Sequence, residues 1–476
     1  MNPNDIRYSK LWRFPSPKSN YQVETFSTQT NDLTCSQQKY YDEYYTTGHK
    51  IYDPAWYKDI SIYETGSDGK EKFKEFKYVE RQALPIQKEC IDIVLAHFLG
   101  NPTQFTDSTV GENKTELMAQ YKESWAGKNM ETFRNQFVKS ALTVGDVAGM
   151  FYYDGNILKW KVFSFLDNEQ IYVKNDKYGE IEYFGRFYSI MEAGNLVAYC
   201  DIIDKSYSTT FSQKETALWT QVSSGLHGFK QIPVVYNYRK GGAFWTPAQN
   251  LIDSVEVMIS ELSEDNHSKT RALYHIASDK PTAISSESGI DTVVTAADGK
   301  FSMIQGADIS TQFEATYAIL MERIMNVLGM VYPKSKSSGD LPTGSMKMMF
   351  YPTERVVLQL IHEFNEPLDK INSLFKEGMI KEHPELATEL LKLNVTASIS
   401  MFTPQDEAAT MQAYGLAKSY GSLSDLTISQ KIPNAAPDEY ARLESQKKAA
   451  ADLLAEQNAQ IAIDTPPVPA KPKPKV

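Results

Sequence analysis

The sequence predicts an α+β fold, and three observations lead to this class. Apolar residues recur at helical spacing over residues 250–277, 309–330 and 353–375, which predicts three long amphipathic helices. Between residues 147 and 240, short segments rich in aromatic and β-branched residues alternate with turn pairs such as Asp-Gly and Asn-Asp, which is typical of antiparallel strands. Helices are expected before and after this block, so helical and strand regions are separated along the chain.

Composition and charge limit the classes of protein that the chain can belong to. It has 476 residues, of which 42% are apolar, so it is long enough for more than one domain with a real core. Its net charge of -11 argues against a protein that coats nucleic acid through a basic surface, but not against one that lets DNA pass. Cys35, Cys90 and Cys200 form no CxxC pair, so we expect neither a disulfide framework nor a zinc site. We expect no signal peptide and no transmembrane helix, because the sequence contains no suitable apolar run.

The first half of the chain is expected to contain an arm followed by a mixed region. Residues 1–83 are polar and rich in Tyr, Ser, Thr and Asn, which indicates a largely irregular arm that orders against a partner or lies along the surface. Residues 84–246 begin with helices, predicted over 84–99 and 114–141, and continue with the block of strands.

The first two long helices carry the residues that we expect at a contact between subunits. One helix is predicted over 247–277, because Thr246 is suited to cap its N-terminus and Pro247 fits its first turn. A second helix is predicted over 309–331. Each has a single apolar stripe that needs a neighbour to cover it. The stripe residues are Leu251, Val255, Met258, Leu262, Tyr317, Leu320 and Ile324.

Shorter segments separate and follow the long helices. Residues 278–308 contain strand-like runs and turns, which predicts a small α/β subdomain. Residues 332–346 are rich in Pro, Gly and Ser, which predicts a mobile loop. A third long helix is predicted over 347–379, a helical region over 380–460, and a disordered Pro/Lys-rich tail over 461–476.

Motifs for catalysis are missing from the sequence. There is no GxxxxGK[ST] phosphate loop and no GxSxG. His362-Glu363 begins like HExxH, but Glu366 stands where the second zinc ligand is needed. We therefore expect no enzyme activity, no cofactor and no metal.

Two runs of residues resemble a known protein family. Residues 232–266, IPVVYNYRKGGAFWTPAQNLIDSVEVMISELSEDN, resemble the strand, loop and stem-helix entry of portal proteins from long-tailed double-stranded DNA bacteriophages. Residues 340–352, DLPTGSMKMMFYP, resemble a Ser/Gly-Ala-Leu-Lys stretch of the same family, with Ser345-Met346 in place of its small residue and Leu. Pro404, Asp406 and Glu407, followed by LSDLT at 423–427, are also similar to the family, and the resemblance covers about residues 84–444.

The resemblance implies a division of the chain into the parts of a portal fold. It makes the strand-containing region an α/β wing, the two striped helices a central stem, and the segment between them a small clip. These parts are an arm at 1–83, a wing at 84–246, stem helices at 247–277 and 309–331, a clip at 278–308, a tunnel loop at 332–346, a long wing/tunnel helix at 347–379, a helical crown at 380–460 and a tail at 461–476.

The resemblance also implies a structural function in the virion. In the family, a ring of usually twelve subunits sits at one capsid vertex and passes double-stranded DNA during packaging and ejection. The implied partners are the terminase large subunit, a head-completion adaptor, and the major capsid and scaffold proteins, with assembly in the host cytoplasm and no membrane. The implied docking residues on the clip are Asp291, Asp298 and Lys300. The implied DNA-facing loop residues are Lys334, Lys336, Ser338, Gly339, Asp340 and Gly344.

Two alternatives stay open on the sequence alone. The first is another virion structural protein, such as a tail or baseplate subunit, against which the long central helices count. The second is an enzyme whose site is not recognised, with a nucleotidyltransferase-like fold within residues 150–240.

Overall fold

The structure is a computed structural model whose described part covers most of the chain. The described residues are 13–14, 24–25, 37–46, 48–65, 71–107, 115–214, 219–269, 273–277, 284–285, 292–293, 300–304, 310–331, 343–402, 407–420, 428, 442–450 and 453. The chain forms two compact units, and each is described by itself. Unit 1 is Met1–Ser338 with Met349–Phe402, and unit 2 is Gly339–Met348 with Thr403–Val476.

The predicted N-terminal arm is more structured than its composition indicates. β1 (Arg13–Phe14) pairs antiparallel with β2 (Glu24–Thr25), and helix α1 covers residues 37–44. β3 (Ile60–Thr65) and β4 (Glu71–Lys77) form an antiparallel hairpin. The sequence did not predict this helix or these hairpins within the expected arm. The polar composition was misleading because the buried polar residues of this region have partners elsewhere in unit 1, as described below.

Three helices follow, in place of the two that the sequence predicts. Helix α2 is Ile86–Leu99, helix α3 is Thr115–Gly127 and helix α4 is Met130–Val144. The predicted single helix over 114–141 is therefore wrong. Asn129 adopts the left-handed conformation with φ 54°, which a continuous right-handed helix cannot include.

The block of strands is confirmed and forms two antiparallel sheets. One sheet has three strands in the order β13-β6-β7, and the other has five strands in the order β12-β11-β10-β9-β8. Phe163 and Phe184 stack in a second small core with Ala148, Ile203 and Val234. The strands of the region are β5 (Gln104–Asp107), β6 (Asp146–Asp154), β7 (Ile157–Ser164), β8 (Gln170–Asn175), β9 (Ile181–Glu192), β10 (Asn195–Ile203), β11 (Tyr207–Lys214), β12 (Thr220–Leu226) and β13 (Val234–Tyr238).

Helix α4 packs closely on the three-stranded sheet. Gly149 of β6 leaves no room for a Cβ, because the ring of Phe133 occupies that space. Phe133 and Phe137 of α4 are fully buried, and Phe133 contacts Phe151 with ring centroids 5.4 Å apart. Gly145, at φ 77°, ends α4 in the left-handed conformation and turns the chain into β6.

The first central helix is shorter than predicted. Helix α5 is Gln249–Lys269, and the predicted helix over 247–277 is wrong at its end, because β14 (Leu273–Ala277) is a strand. β14 pairs antiparallel with β17 (Lys300–Ile304), so its backbone groups are bonded between strands. Helix α6 follows as Ser310–Val327, close to the predicted second helix.

Two-residue strands lie within the predicted clip. β15 (Ile284–Ser285) pairs antiparallel with β16 (Thr292–Val293). The segment between α5 and α6 therefore contains two antiparallel strand pairs, β14 with β17 and β15 with β16. The remaining residues of 278–308 lie outside the described part of the chain.

The third central helix is longer than predicted. Helix α7 runs from Thr343 to Glu382 and includes Pro352 and Pro367. Gly344 is therefore helical, and the predicted loop over 332–346 is wrong for its last residues. The apolar positions of α7 keep helical spacing up to the predicted end at residue 379, where Leu374, Phe375 and Met379 are buried in the core. Other core positions of α7 are Val357, Leu360, Phe364, Leu368 and Ile371.

The predicted helical crown contains a strand. After helix α8 (Ala387–Lys392), β18 (Val395–Ser398) pairs antiparallel with β5. Val395 and Ala397 point inward while Thr396 and Ser398 are exposed, which is a period of two and not a helical period. Unit 2 contributes helix α9 (Glu407–Ser419) and helix α10 over residues 442–450.

One large core lies under the helices and the three-stranded sheet of unit 1. It includes side chains from α2 to α8, and aromatic rings occupy much of it. Its largest fully buried members include Trp245, Tyr121, Phe98, Phe133, Phe137, Phe364 and Phe375. Because apolar area removed from water contributes roughly 25 cal/mol per Å², these rings are a main source of stability.

Asp146, at the start of β6, makes stability depend on pH. Its Oδ2 accepts a hydrogen bond of 2.9 Å from Gln37 Nε2 of α1, and burial raises its pKa to about 7. The unfolded carboxyl ionises near pH 3.8, so the folded state is increasingly penalised as pH rises from 4 to 7. We expect Asp146→Asn to raise the thermal midpoint at pH 8 but not at pH 4, measured by scanning calorimetry.

Asp92→Asn, on the exposed face of α2, is the matched control and is expected to change neither midpoint. Equal midpoints for the parent and Asp146→Asn at pH 8 would contradict the assignment of Asp146 as a destabilising buried acid.

Candidate functional site

The site that the sequence singles out is built on α5 and α6. A short 3-10 turn, Thr246–Ala248, leads into α5, and Pro247 lies in its first turn as predicted. Trp245 occupies the N-cap position of this turn and Thr246 is its first residue, so the predicted capping role of Thr246 is wrong. Trp245 is fully buried and fixes the start of α5 against the core.

The helices α5 and α6 pack against each other and run in opposite directions. The antiparallel pairing of β14 with β17 returns the chain to the end of α5. Residues near the end of α5, such as Leu262, consequently share a cleft with residues near the start of α6, such as Phe313. Ile252 of α5 and Met321 of α6 belong to the same buried core.

The predicted interface residues fall into three groups. Val255 and Ile324 are fully buried in the chain's own core, so they are not available to a neighbouring subunit. The sequence missed this because the arm and α7 cover the stripe from within the same chain. Leu251, Tyr317 and Leu320 are half-buried against that core. Met258 and Leu262 line the cleft between α5 and α6.

The cleft between α5 and α6 is lined by apolar and acidic side chains. Its volume is about 700 Å³. Met258, Leu262 and Phe313 line it together with Val79 from the segment after the hairpin. Three acids, Glu261, Glu264 and Asp265, line it as well, against one lysine, Lys58. Because these carboxylates repel phosphate, this surface is unsuited to gripping a nucleic-acid backbone.

A buried polar cluster, here called the Glu256 clasp, ties three stretches of chain together. Glu256 Oε1 lies 2.5 Å from His49 Nδ1 and accepts a hydrogen bond of 2.9 Å from the Leu84 N–H. One turn later, Ser260 Oγ accepts a hydrogen bond of 2.9 Å from the Gln82 N–H. Glu256 and Ser260 are fully buried, so these bonds are shielded from water.

Electrostatics in the clasp favour a charged histidine. Burial has the largest single effect on the pKa of His49 and lowers it, but the hydrogen bond and the negative charge of Glu256 act in the other direction. Together with Glu43, they outweigh burial, and the pKa of His49 lies above its ordinary value. The raised pKa widens the pH range in which His49 is protonated, and in that range the contact is a buried ion pair whose partners are each costly to remove.

A second set of contacts fastens α1 to the beginning of α5. Glu43 Oε2 accepts a hydrogen bond of 3.0 Å from Trp245 Nε1. The ring of Tyr44 stacks on Trp245 at 6.1 Å between centroids. Lys50 Nζ lies 3.6 Å from Asp253 Oδ2 on the first turns of α5. Residues 37–53 are thus held along α5 by both ring and polar contacts.

The sequence analysis missed the clasp, although one signal points to it. His49 and Glu256 are separated by 207 positions, so no local pattern connects them. Glu256, however, lies between Val255 and Ile259 on the apolar face of α5. An acid on the buried face of a helix requires a partner, and that requirement was the available clue.

The predicted loop and clip residues are mostly outside the described part of the chain. Gly344 lies in α7. Lys300 begins β17, opposite Ala277. Those outside the described residues are Asp291, Asp298, Lys334, Lys336, Ser338, Gly339 and Asp340.

The described residues offer little for covalent or metal chemistry. Cys90 and Cys200 are buried free thiols, and burial raises the pKa of Cys90 to about 12, so its thiol stays protonated. Within the described ranges, no three His, Cys, Asp or Glu side chains come together as a metal-binding group. No helix there is long and apolar enough to cross a membrane.

Comparisons with known proteins give one family match and several structural similarities. The family model described as phage portal protein, SPP1 Gp6-like, matches residues 28–459. A structure described as the neck of an empty GTA particle computed with C6 symmetry has a TM-score of 0.43 and 10% identity, covering 73% of this chain and 89% of that chain. Another, the virion of a native gene transfer agent particle, has a TM-score of 0.41 and 10% identity, with the same coverage. No curated protein sequence matches the chain.

The contacts of the Glu256 clasp predict that substitution of Glu256 loosens residues 37–53. In Glu256→Leu, His49 and the Leu84 N–H lose their acceptor while remaining buried. Breaking one side of a buried ion pair costs about 3–5 kcal/mol, so we expect lower unfolding free energy and faster amide exchange in residues 37–53. Hydrogen exchange with mass spectrometry measures this segment directly.

Glu261→Gln is the matched control, since it changes an exposed acid on the same helix. Unchanged protection of residues 37–53 in Glu256→Leu would show that the clasp does not hold this segment.

Proposed function

Because the chain belongs to the phage portal protein family, SPP1 Gp6-like, we propose that it forms the ring through which double-stranded DNA enters and leaves a phage-like particle. The family is one of virion structural proteins, and the match covers residues 28–459. The observation that carries the proposal is this match, which spans both compact units.

The surface of α5 supports a channel that DNA passes without being held. The cleft is lined by three acids and one lysine, and the chain has a net charge of -11. Each phosphate that a protein cation neutralises strengthens binding through counterion release, so a surface poor in cations binds DNA weakly. Contact is expected to be independent of base sequence.

A ring requires contacts that close on themselves. A cyclic ring of identical subunits uses two different surfaces on each copy. The half-buried stripe residues are suited to such a contact, because they combine apolar character with partial exposure. Those residues are Leu251, Met258, Leu262, Tyr317 and Leu320. A ring of twelve subunits is the family expectation.

The partners in the proposal follow the order of particle assembly. The ring is built in the host cytoplasm with the major capsid and scaffold proteins and stays in the virion at one vertex. The terminase large subunit docks on residues 278–308 during packaging, and a head-completion adaptor replaces it. Capture of terminase by rings with and without residues 278–308 tests this docking site.

Electron microscopy of the purified protein tests the central proposal. We expect negative-stain images of rings with an axial hole, because a portal subunit alone lacks the neighbours that cover its half-buried stripe. Mass photometry of the same sample gives the subunit number. A compact monomer at micromolar concentration in both measurements would contradict the ring and favour the enzyme alternative.

Residues 332–342, the part of the predicted loop that precedes α7, are proposed to touch the DNA as it passes. Lys334 and Lys336 are the cations of this segment. Changing both to Glu removes weak attraction to phosphate, so we expect intact particles with an altered amount of retained DNA. Quantification of the nucleic acid in purified particles measures the effect.

The matched control changes Lys177 and Lys205 to Glu, since both are exposed and lie in turns of the five-stranded sheet region. If the loop variant and the control retain DNA like the parent, the loop is not in the DNA path.

A further inference from the structure

The β3–β4 hairpin exposes large aromatic side chains, although a hairpin of two strands is only marginally stable by itself. Tyr63, Phe73 and Phe76 are each exposed by half or more of their surface, at 58%, 50% and 56%. The rings of Phe73 and Phe76 lie 4.7 Å apart, so they form one aromatic patch. A two-stranded hairpin is marginally stable in water and needs a third strand or a packed face.

Contacts near its base connect the hairpin to α5. Lys77 forms an ion pair with Glu264 of α5, and Ile60 lines the cleft beside that helix. Beyond the base, Tyr63 of β3 and residues 71 and 73–76 of β4 are exposed, while Ser61 is half-buried. The aromatic patch is consequently presented away from the chain's own core.

A second element, β12, is equally exposed. It forms one edge of the five-stranded sheet, and all seven of its residues are exposed. Its sequence, TQVSSGL, contains neither a charged residue nor a proline, which are the usual protection of an edge strand against pairing. Val222 and Leu226 are exposed by 59% and 73%, so the edge also carries apolar surface.

We propose that the hairpin of one copy pairs along β12 of the neighbouring copy and extends its five-stranded sheet. The pairing supplies the hairpin with the further strands that it lacks and covers the unprotected edge. The inference rests on the ring of the proposed function, which requires two different surfaces in contact.

The size of the patch fits a contact between copies. Four large aromatic side chains of the hairpin and the residue after it, Tyr63, Phe73, Phe76 and Tyr78, are exposed by 50–79%. With aromatic side chains of about 150–250 Å² each, they expose about 500 Å² of largely apolar surface. A stable interface buries about 800 Å² on each partner, so the patch supplies much of one. A second copy is the favoured occupant because it carries the complementary edge on the same chain.

Cross-linking between engineered cysteines tests the pairing. Tyr63→Cys and Ser223→Cys are introduced together in a Cys35→Ser background, in which Cys90 and Cys200 are buried. Residues on paired strands come close enough for a disulfide or a short bismaleimide. We expect a ladder of covalent multimers on a denaturing gel, which a cross-link within one chain does not produce.

The control pairs Tyr63→Cys with Lys177→Cys, an exposed site in the turn between β8 and β9 at the opposite edge of the sheet. Rings that give a ladder with Ser223→Cys and not with the control support the pairing. Rings that form without a ladder, or with equal ladders in both variants, overturn the pairing and leave the proposed function standing. Absence of rings for the parent protein as well overturns both.

Discussion

The contact between His49 and Glu256 is the constraint on which the arrangement of α5 depends. The carboxylate of Glu256 lies on the buried face of the helix, where an unpaired charge is strongly unfavourable. Its partners come from the segment after α1 and from the strand-free residues before α2. The arm therefore completes the interior of the molecule. Without it, α5 exposes apolar residues and buries a charge with no counterpart.

The charge count of α5 overstates the negative charge that it presents to solvent. Glu256 is paired with His49 in the interior, and Glu264 is paired with Lys77 of the hairpin. Glu261 is exposed and lines the cleft between α5 and α6. One acid of the helix, Glu256, thus stabilises the interior, while Glu261 contributes negative charge to the surface. Composition alone cannot make that distinction, because it depends on which face of the helix each acid occupies.

Much of the fold could be predicted from the sequence, and the failures share a cause. The strand block was recognisable from its turn pairs, and α7 from its spacing of apolar residues. β14 was assigned to a helix because Leu273, Ile276 and Ala277 also fit helical spacing; its pairing with β17 comes from residues more than twenty positions away. The break at Asn129 and the clasp at Glu256 likewise depend on backbone conformation or distant partners. Of the candidate site, the cleft residues Met258 and Leu262 were predictable, whereas the burial of Val255 depended on the arm.

The antiparallel ladder between β14 and β17 has a mechanical consequence. Its five residue pairs run from Leu273–Ile304, next to the helices, to Ala277–Lys300 at the far end. Both strands are joined to their helices at the same end, α5 on one side and α6 on the other. A force applied along the strands at the Ala277–Lys300 end moves both strands in the same direction. The strands therefore do not slide past each other, and their hydrogen bonds are not sheared. The force is then shared by α5 and α6, which both pack into the same core.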